Sequence, residues 1–442
     1  MRTLLAASIC ALVMGAATGC APQTTAVSPS AALASSDGFV TGPTNLRKMT
    51  ALVRVTPPER LVRVFERAAA RVESDDPDFA TFLRAQATGG FGSGFIVTRR
   101  KHGRTLSFVV TNRHVVDESQ EAEVSFSDGT SYAHCRVVYI HPTADLAVIA
   151  LPEDRSPFGY GLDIATSPAS DREGVVATGY PGLGGKPSFQ VTDGKISNAD
   201  FSNPDVARGA HLVQHTAPID PGSSGGPLTN EAGKLVGVNV ALARGRQNVN
   251  FAVPAARVVE AVDGALELRK NENDQAWLRA AATSSCRRLS AELASSDSNG
   301  AATLDLIGMD LVTSEGPASF SFALTHMSAP MRARLKDLFT ESPIGAYRVA
   351  LIHRVATRAA LGGGVEAGDT CGQMNPTDAA NISSSSHVRM SIPTANGSME
   401  IELALDRGQF RVVGGDLLDI ARIQQKEREV AERTAAHNRK GH

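Results

Sequence analysis

A chain of 442 residues is longer than one ordinary domain, and at about 150 residues per domain it predicts two or three. Its 44 Lys+Arg against 46 Asp+Glu leave a formal net charge of -2, which excludes a strong global field toward nucleic acid or an anionic membrane surface. Hydrophobic residues at 42% and charged residues at 20% exclude a wholly disordered protein, and five cysteines without C-x-x-C spacing exclude a disulfide scaffold and a zinc or redox pair.

Arg2, the apolar run Leu4 to Met14 and the small residues after it have the layout of a secretory signal over residues 1–19. No later run approaches the roughly 20 apolar residues that a transmembrane helix requires. The segment ends Ala17-Thr18-Gly19-Cys20, which resembles a bacterial lipobox and marks Cys20 for lipid attachment. A chain anchored in this way is exported and faces the periplasm, on the outer membrane in preference to the inner. An ordinary signal peptide cut near the same point is the alternative. Residues 20–45, small and rich in Ser, Thr and Pro, predict a disordered tether.

Residues 46–88 predict an N-terminal helical segment, because Leu61, Val62, Val64, Phe65, Ala68, Ala69 and Val72 recur at three- and four-residue spacing behind Pro58. From 89 to 258 the texture is β-rich: GFIVT, LSFVVT, AEVSF, YAHCRVVYI, LAVIAL, GVVATGY, KLVGVNVAL and NVNFAVP are short runs broken by turn residues, as in an all-β barrel or sandwich. From 259 to 442 the pattern is mixed. Helical stretches near 255–292 and the strand-like runs LDLIGMDLV, FSFALT, YRVALIHRV, VRMSI, EIELAL and FRVVG predict an α+β C-terminal domain, closed by a polar helix from Leu417.

The strongest chemical signal is Asp220-Pro221-Gly222-Ser223-Ser224-Gly225-Gly226-Pro227-Leu228. Glycines around a serine make a tight turn from which a hydroxyl projects and backbone N–H groups converge, as an oxyanion requires. Taken alone, such a turn is more often structural. A serine becomes a nucleophile only when an imidazole accepts its proton, and the imidazole needs a carboxylate to hold its tautomer. His114 follows the apolar strand Phe108 to Thr111, and Asp145 opens the apolar run Leu146 to Ile149, although an Asp at a strand start is usually just a turn residue. His141, His215 and His326 lack comparable context.

Together these segments resemble the chymotrypsin-fold (trypsin-like) serine peptidases and, within them, the bacterial high-temperature-requirement (HtrA/Deg) group. GSGFIV at 92–97, TNRHVV at 111–116, ADLAVI at 144–149, GYP at 179–181, PGSSGGPL at 221–228, GKLVGVNV at 233–240 and NFAVP at 250–254 run in that family's order. The resemblance implies an all-β double-barrel protease domain over 89–258. It also implies a serine endopeptidase that needs no cofactor or metal and acts on polypeptides, among them unfolded or damaged envelope proteins. His114 would be the general base, Asp145 its orienter and Ser224 the nucleophile, with the N–H groups of Gly222 and Ser224 as oxyanion hole. Pro218 and Ile219, with Val238 and Asn239 opposite, would wall the specificity pocket, whose floor lacks the acid that selects Arg or Lys.

Other readings stand beside it. Gly222-x-Ser224-x-Gly226 also fits the elbow of an α/β-hydrolase esterase, which requires a strand-to-helix context. A non-catalytic or latent protease-like module that binds unfolded chains is the rival from another class. The C-terminal domain only faintly echoes a PDZ domain at Ala359 to Gly364 and Glu366 to Asp369, and has no recognised family. Its Cys286 and Cys371 could pair in an oxidising compartment, while Cys135 reads as a small buried residue. Members of the family often trimerise, and the segment before residue 89 could serve that purpose.

Overall fold

The β-rich runs close into two barrels in a computed structural model. It describes residues 37–416 apart from 75, 102, 153–156, 184–185, 203–210, 241–247, 295–305, 309–310, 313–318, 321–322, 325–326, 342, 362–370, 372–373 and 396. The signal segment, Cys20, His326, the PDZ-like stretch from Gly362 and the helix expected from Leu417 lie outside the described residues.

The chain begins with β1 (Gly38–Phe39), α1 (Leu46–Met49), β2 (Thr50–Val55), α2 (Glu59–Val72) and α3 (Pro77–Ala87). It continues through β3 (Gly90–Lys101), β4 (Arg104–Thr111), α4 (Arg113–Val116), β5 (Glu121–Phe126), β6 (Ser131–Ile140) and β7 (Ala147–Ala150). The first barrel runs β3-β2-β5-β6-β7-β4 and closes where β4 pairs with β3. Alternation along β5 and β6 sends Ala122, Val124, Phe126, Tyr132, Cys135 and Val137 into its core, and burial pushes the Cys135 thiol up to about 11, so it stays protonated.

Next come β8 (Gly174–Gly179), a small ribbon of β9 (Gly182–Leu183) and β10 (Lys186–Pro187), then β11 (Gln190–Phe201), β12 (Leu212–His215), β13 (Pro227–Asn230), β14 (Leu235–Val240) and β15 (Asn250–Pro254). The order β11-β12-β15-β14-β13-β8 closes a second barrel. All pairings in both barrels are antiparallel, so this part has the predicted all-β double-barrel class.

The C-terminal part is α+β: α5 (Ala255–Asn271), α6 (Gln275–Ala294), α7 (Ala329–Glu341), α8 (Pro343–Leu361), α9 (Pro376–Ala380) and the meander β16 (His387–Thr394), β17 (Gly397–Asp406) and β18 (Gln409–Gly415). Among the described residues no helix is long and apolar enough to cross a membrane.

Four expectations from the sequence require correction. The tether is not unstructured throughout, since Gly38 and Phe39 pair with Arg100 and Arg99 of β3, and the Arg99 guanidinium lies 4.6 Å from the Phe39 ring. The segment 46–88 is not purely helical, because β2 is a barrel strand paired with β3 and β5. Its helices α2 and α3 bury Leu61, Val64, Phe65, Ala68, Ala69, Ala80 and Leu83 against α6, α8 and the meander, so the second core includes a segment that precedes most of the first barrel in the chain. Leu61, Val64, Phe65 and Leu83 each contribute about 1.5–3 kcal/mol when fully buried, and an amphipathic helix takes whichever apolar partner the fold offers. The boundary at 258/259 falls inside α5, whose Ala255, Val258, Ala261, Val262, Ala265 and Leu266 complete the first-barrel core. Finally, YRVALIHRV is helical within α8: Tyr347, Ala350, Leu351 and Val355 lie at helical spacing, and β-branched residues there imitate a strand only in composition.

Cys286 of α6 and Cys371 are disulfide-bonded with Cα atoms 5.8 Å apart across a separation of 85 residues. Closing a loop of that size contributes about 4–5 kcal/mol by restricting the unfolded chain. A reductant is therefore expected to lower the melting temperature of the second core in a thermal scan. An unchanged melt, with two thiols titratable before reduction, would show that the pair is open in solution.

Candidate active site

The segments that carry the serine, histidine and aspartate candidates meet between the two barrels, beginning with the four-residue helix α4. Thr111 ends β4, and the chain turns at Asn112 into α4, presenting His114 at the helix start. Asp145 lies just before β7, the strand beside β4, and Asn112 Nδ2 donates to its carbonyl oxygen at 2.8 Å. The Asp145 carboxylate then meets His114 twice: Oδ1 accepts from the backbone N–H at 3.0 Å, and Oδ2 faces ring Nδ1 at 2.7 Å. With Nδ1–H donating to the carboxylate, Nε2 is left with its lone pair, the tautomer a general base needs.

The electrostatics follow from this geometry. Burial alone would lower the His114 pKa, but the charge and hydrogen bond of Asp145, with a smaller push from Asp117, outweigh burial and Arg113 and hold it above its ordinary value. Burial pushes the Asp145 carboxyl up, yet His114 and Arg113 hold it well below the usual carboxylate range. The pair is therefore ready to carry an imidazolium, as proton acceptance requires.

The serine loop reaches the same place from the second barrel. Ser224 is buried, its carbonyl accepts from the Ser93 N–H at 2.8 Å, and Gly225 N–H donates to the Asn239 carbonyl at 2.9 Å. Gly225 has φ +85, and a side chain there would strike the Ser93 carbonyl and the Thr111 hydroxyl, three residues before His114. Only glycine brings the two loops this close. The Pro221 carbonyl accepts from Gly182 N–H at 3.1 Å, so the Gly222 N–H of that trans peptide points away from Gly182. After the serine the chain enters strand β13 and not a helix, which removes the context an esterase elbow requires.

Two contributors escaped the sequence reading. Ser93, fully buried, donates from Oγ to the Gly222 carbonyl at 2.6 Å and accepts from Tyr180 N–H at 2.8 Å, tying β3 to the loops of the second barrel. Its position within GSGFIV marked a motif but no role. His141 organises the turn that carries Asp145: its Nδ1 accepts from the N–H groups of Thr143 (3.2 Å) and Ala144 (3.0 Å), and its Nε2 faces Glu260 of α5 at 3.2 Å. No local signal marks it, since Glu260 lies 119 positions away.

Of the four residues expected to wall the specificity pocket, two line a recess and two are buried. Pro218 and Ile219 line a small open recess with Ala177, Thr178, Gly179, Gln190, Thr192 and Ser223. Val238 and Asn239 are fully buried inside β14 and do not reach it. Both belong to a strand paired on each side, and Asn239 serves the serine loop through its backbone and donates its side chain to the Pro227 carbonyl at 3.3 Å. His215, which had no assigned context, is also buried and its imidazole is held down to about 4 by burial.

Comparison with known proteins covers this same region. Residues 92–238 match the family model described as trypsin-like peptidase domain. A Chlamydia trachomatis protein named "Probable periplasmic serine endoprotease DegP-like" is 33% identical over 180 residues, covering 39% of this chain and 33% of the relative. A Bacillus subtilis "Serine protease Do-like HtrA" is 35% identical over 158 residues, 34% of this chain and 33% of the relative. The chain thus spans about a third of the length of these curated relatives. A solved serine endoprotease from Yersinia pestis is 20% identical with a TM-score of 0.35, over 51% of this chain and 68% of its own. Motif order, paired barrels and matched span together make the two-barrel part of this chain similar to trypsin-like peptidase domains and to the HtrA and DegP-like serine proteases.

Proposed function

We propose that this protein is a serine endopeptidase of the bacterial envelope that cleaves unfolded or damaged polypeptides through His114, Asp145 and Ser224. The observation that carries the reading is the two-point grip of Asp145 on His114, with the serine loop packed against Thr111 and Asn112 at the entry to the same helix. Ser224 Oγ attacks the peptide carbonyl as its proton passes to His114 Nε2, and the new oxyanion lies toward the N–H groups of Gly222 and Ser224. The imidazolium, stabilised by Asp145, returns the proton to the leaving amine. Water then attacks the acyl-enzyme with the same base, restoring the serine. Pro218 and Ile219, without an acid, favour a small or medium apolar side chain before the scissile bond.

Periplasmic placement follows the names of the relatives and the signal-like first 19 residues, and a lipid on Cys20 would tether the enzyme to the membrane. Association into trimers, common among similar enzymes, is part of the same proposal. The discriminating experiment is labelling of the full chain with a fluorophosphonate probe. Rapid labelling that maps to Ser224 is expected. A folded protein that does not label, with or without added unfolded protein, would instead be a binding module. Labelling that appears only with unfolded protein would make the enzyme latent.

A further inference from the structure

The tip of the β17–β18 hairpin reaches from the C-terminal domain to the segments around α4 and the end of β6. Asp406 pairs with Gln409, leaving Arg407 and Gly408 as a two-residue turn with φ +47 and +94, the backbone of a type I′ turn. That turn favours Asn, Asp or Gly at its first central position, so an arginine there is kept against local preference. Strain of this kind persists where surrounding contacts over-determine it.

Those contacts are with the segments that carry the candidate base and its carboxylate. Arg407 Nη1 donates to the carbonyls of Val116 (3.4 Å) and Ser119 (3.2 Å), capping the end of α4, two residues beyond His114. Asp117, directly after α4, accepts from Arg348 Nη1 of α8 and lies 4.0 Å from Arg407. Gln409 Nε2 donates to the Ile140 carbonyl at 3.0 Å and Ile140 N–H to the Arg407 carbonyl at 3.0 Å, at the end of the strand that leads to Asp145. Gln120 Nε2 donates to Asp406 at 3.0 Å. Arg348, Arg407, Arg411 and Asp117 are nearly inaccessible to water, and Arg411 pairs with the partly exposed Asp406 at 3.0 Å. Burial works against the Asp117 charge, but Arg348, Arg113, Arg407 and Arg411 outweigh it and hold the carboxyl down to about 2, so the network stays ionised.

We propose that Arg407 and Arg348 are positioning residues for catalysis: the C-terminal domain, through its hairpin tip, sets the orientation of α4 and so of His114 against Asp145. This rests on the endopeptidase reading above. A single helical turn has no cohesion of its own, so its direction is dictated by what grips its two ends. Asp145 grips the start and Arg407 the finish. A displacement of about 1 Å at a catalytic group costs about 10²-fold in rate.

The test is steady-state kinetics on the full chain with Arg407→Ala, Arg407→Lys and, as control, Arg389→Ala, whose exposed side chain pairs with Asp378 away from this contact. Active sites are counted by fluorophosphonate stoichiometry. Arg407→Ala is expected to lower kcat per labelled site by about 10- to 100-fold with KM little changed, and to slow labelling in parallel. Arg407→Lys, which keeps the charge but loses the guanidinium that holds Asp406 through Nε and Nη2 while Nη1 reaches the two carbonyls, should fall between, and the control should match wild type. Normal turnover per labelled site in a folded Arg407 variant overturns the proposal. A loss confined to the fraction that labels overturns it equally, because that is what a merely structural role produces. If Arg407→Ala does not fold, Arg407→Lys decides on the same criteria. Wild type that neither labels nor cleaves casein would instead defeat the endopeptidase reading, a result separable from either outcome.

Discussion

Ser224→Ala is expected to reduce cleavage of a denatured protein such as casein by about 10⁴-fold or more, with the fold retained. The change removes one oxygen and leaves the backbone contacts that shape the loop, namely the Ser224 carbonyl on Ser93 N–H and the Gly225 N–H on Asn239. The neighbouring hydroxyls are engaged elsewhere: Ser93 Oγ with the Gly222 carbonyl and the Tyr180 N–H, Thr111 Oγ1 with the Ser93 carbonyl, and Ser223 Oγ with the Asp220 N–H. Oxyanion stabilisation and substrate binding would survive, so a small residual rate over the uncatalysed reaction is expected. The measurement is initial rate on labelled casein beside a thermal melt. A variant that melts normally and turns over normally would rule out Ser224 as nucleophile.

Asp145→Asn should be nearly as damaging, with kcat lower by about 10⁴-fold, for a reason visible in the two hydrogen bonds. The carboxylate has an oxygen for each donor, His114 N–H and His114 Nδ1–H. An amide has only one. If its oxygen stays on the backbone N–H, its NH₂ faces Nδ1, the imidazole must carry its proton on Nε2, and it can no longer accept one from Ser224. The pH profile supplies an independent reading. In the wild type His114 is held above its ordinary value, so activity should rise with pH as the imidazole loses its proton through that raised value. Removing the negative charge of Asp145 should move the residual limb to lower pH. An unchanged limb would mean that Asp145 does not set the protonation of His114.

How much of this was legible in the chain differs by element. The triad candidates were readable because each sits in a short stretch whose local chemistry is self-contained: a serine among turn glycines, a histidine after an apolar strand, an aspartate opening another. Strands β3 to β8, β14 and β15 were readable as short β-rich runs between turn residues, whereas β2, β11, β12 and β13 were not. YRVALIHRV was misread because a buried helix and a buried strand are alike in composition when the run is short. Val238 and Asn239 were placed on a pocket wall by the resemblance, whereas β14 is paired on both sides and both of its faces are covered, so neither side chain reaches solvent.

Sequence alone therefore determined a β-rich part and a mixed part and singled out His114, Asp145 and Ser224 as candidates, while the double-barrel class came from the resemblance of its motifs. Tertiary structure decided which core receives α2 and α3, that His141 braces the Asp145 turn through Glu260, and that Arg407 reaches the end of the His114 helix. The physical reason is range. Turn chemistry and strand alternation act over a few residues and are written locally. The partner of an apolar face or a buried charge is chosen by whatever the folded chain brings near, here across 291 positions between Val116 and Arg407.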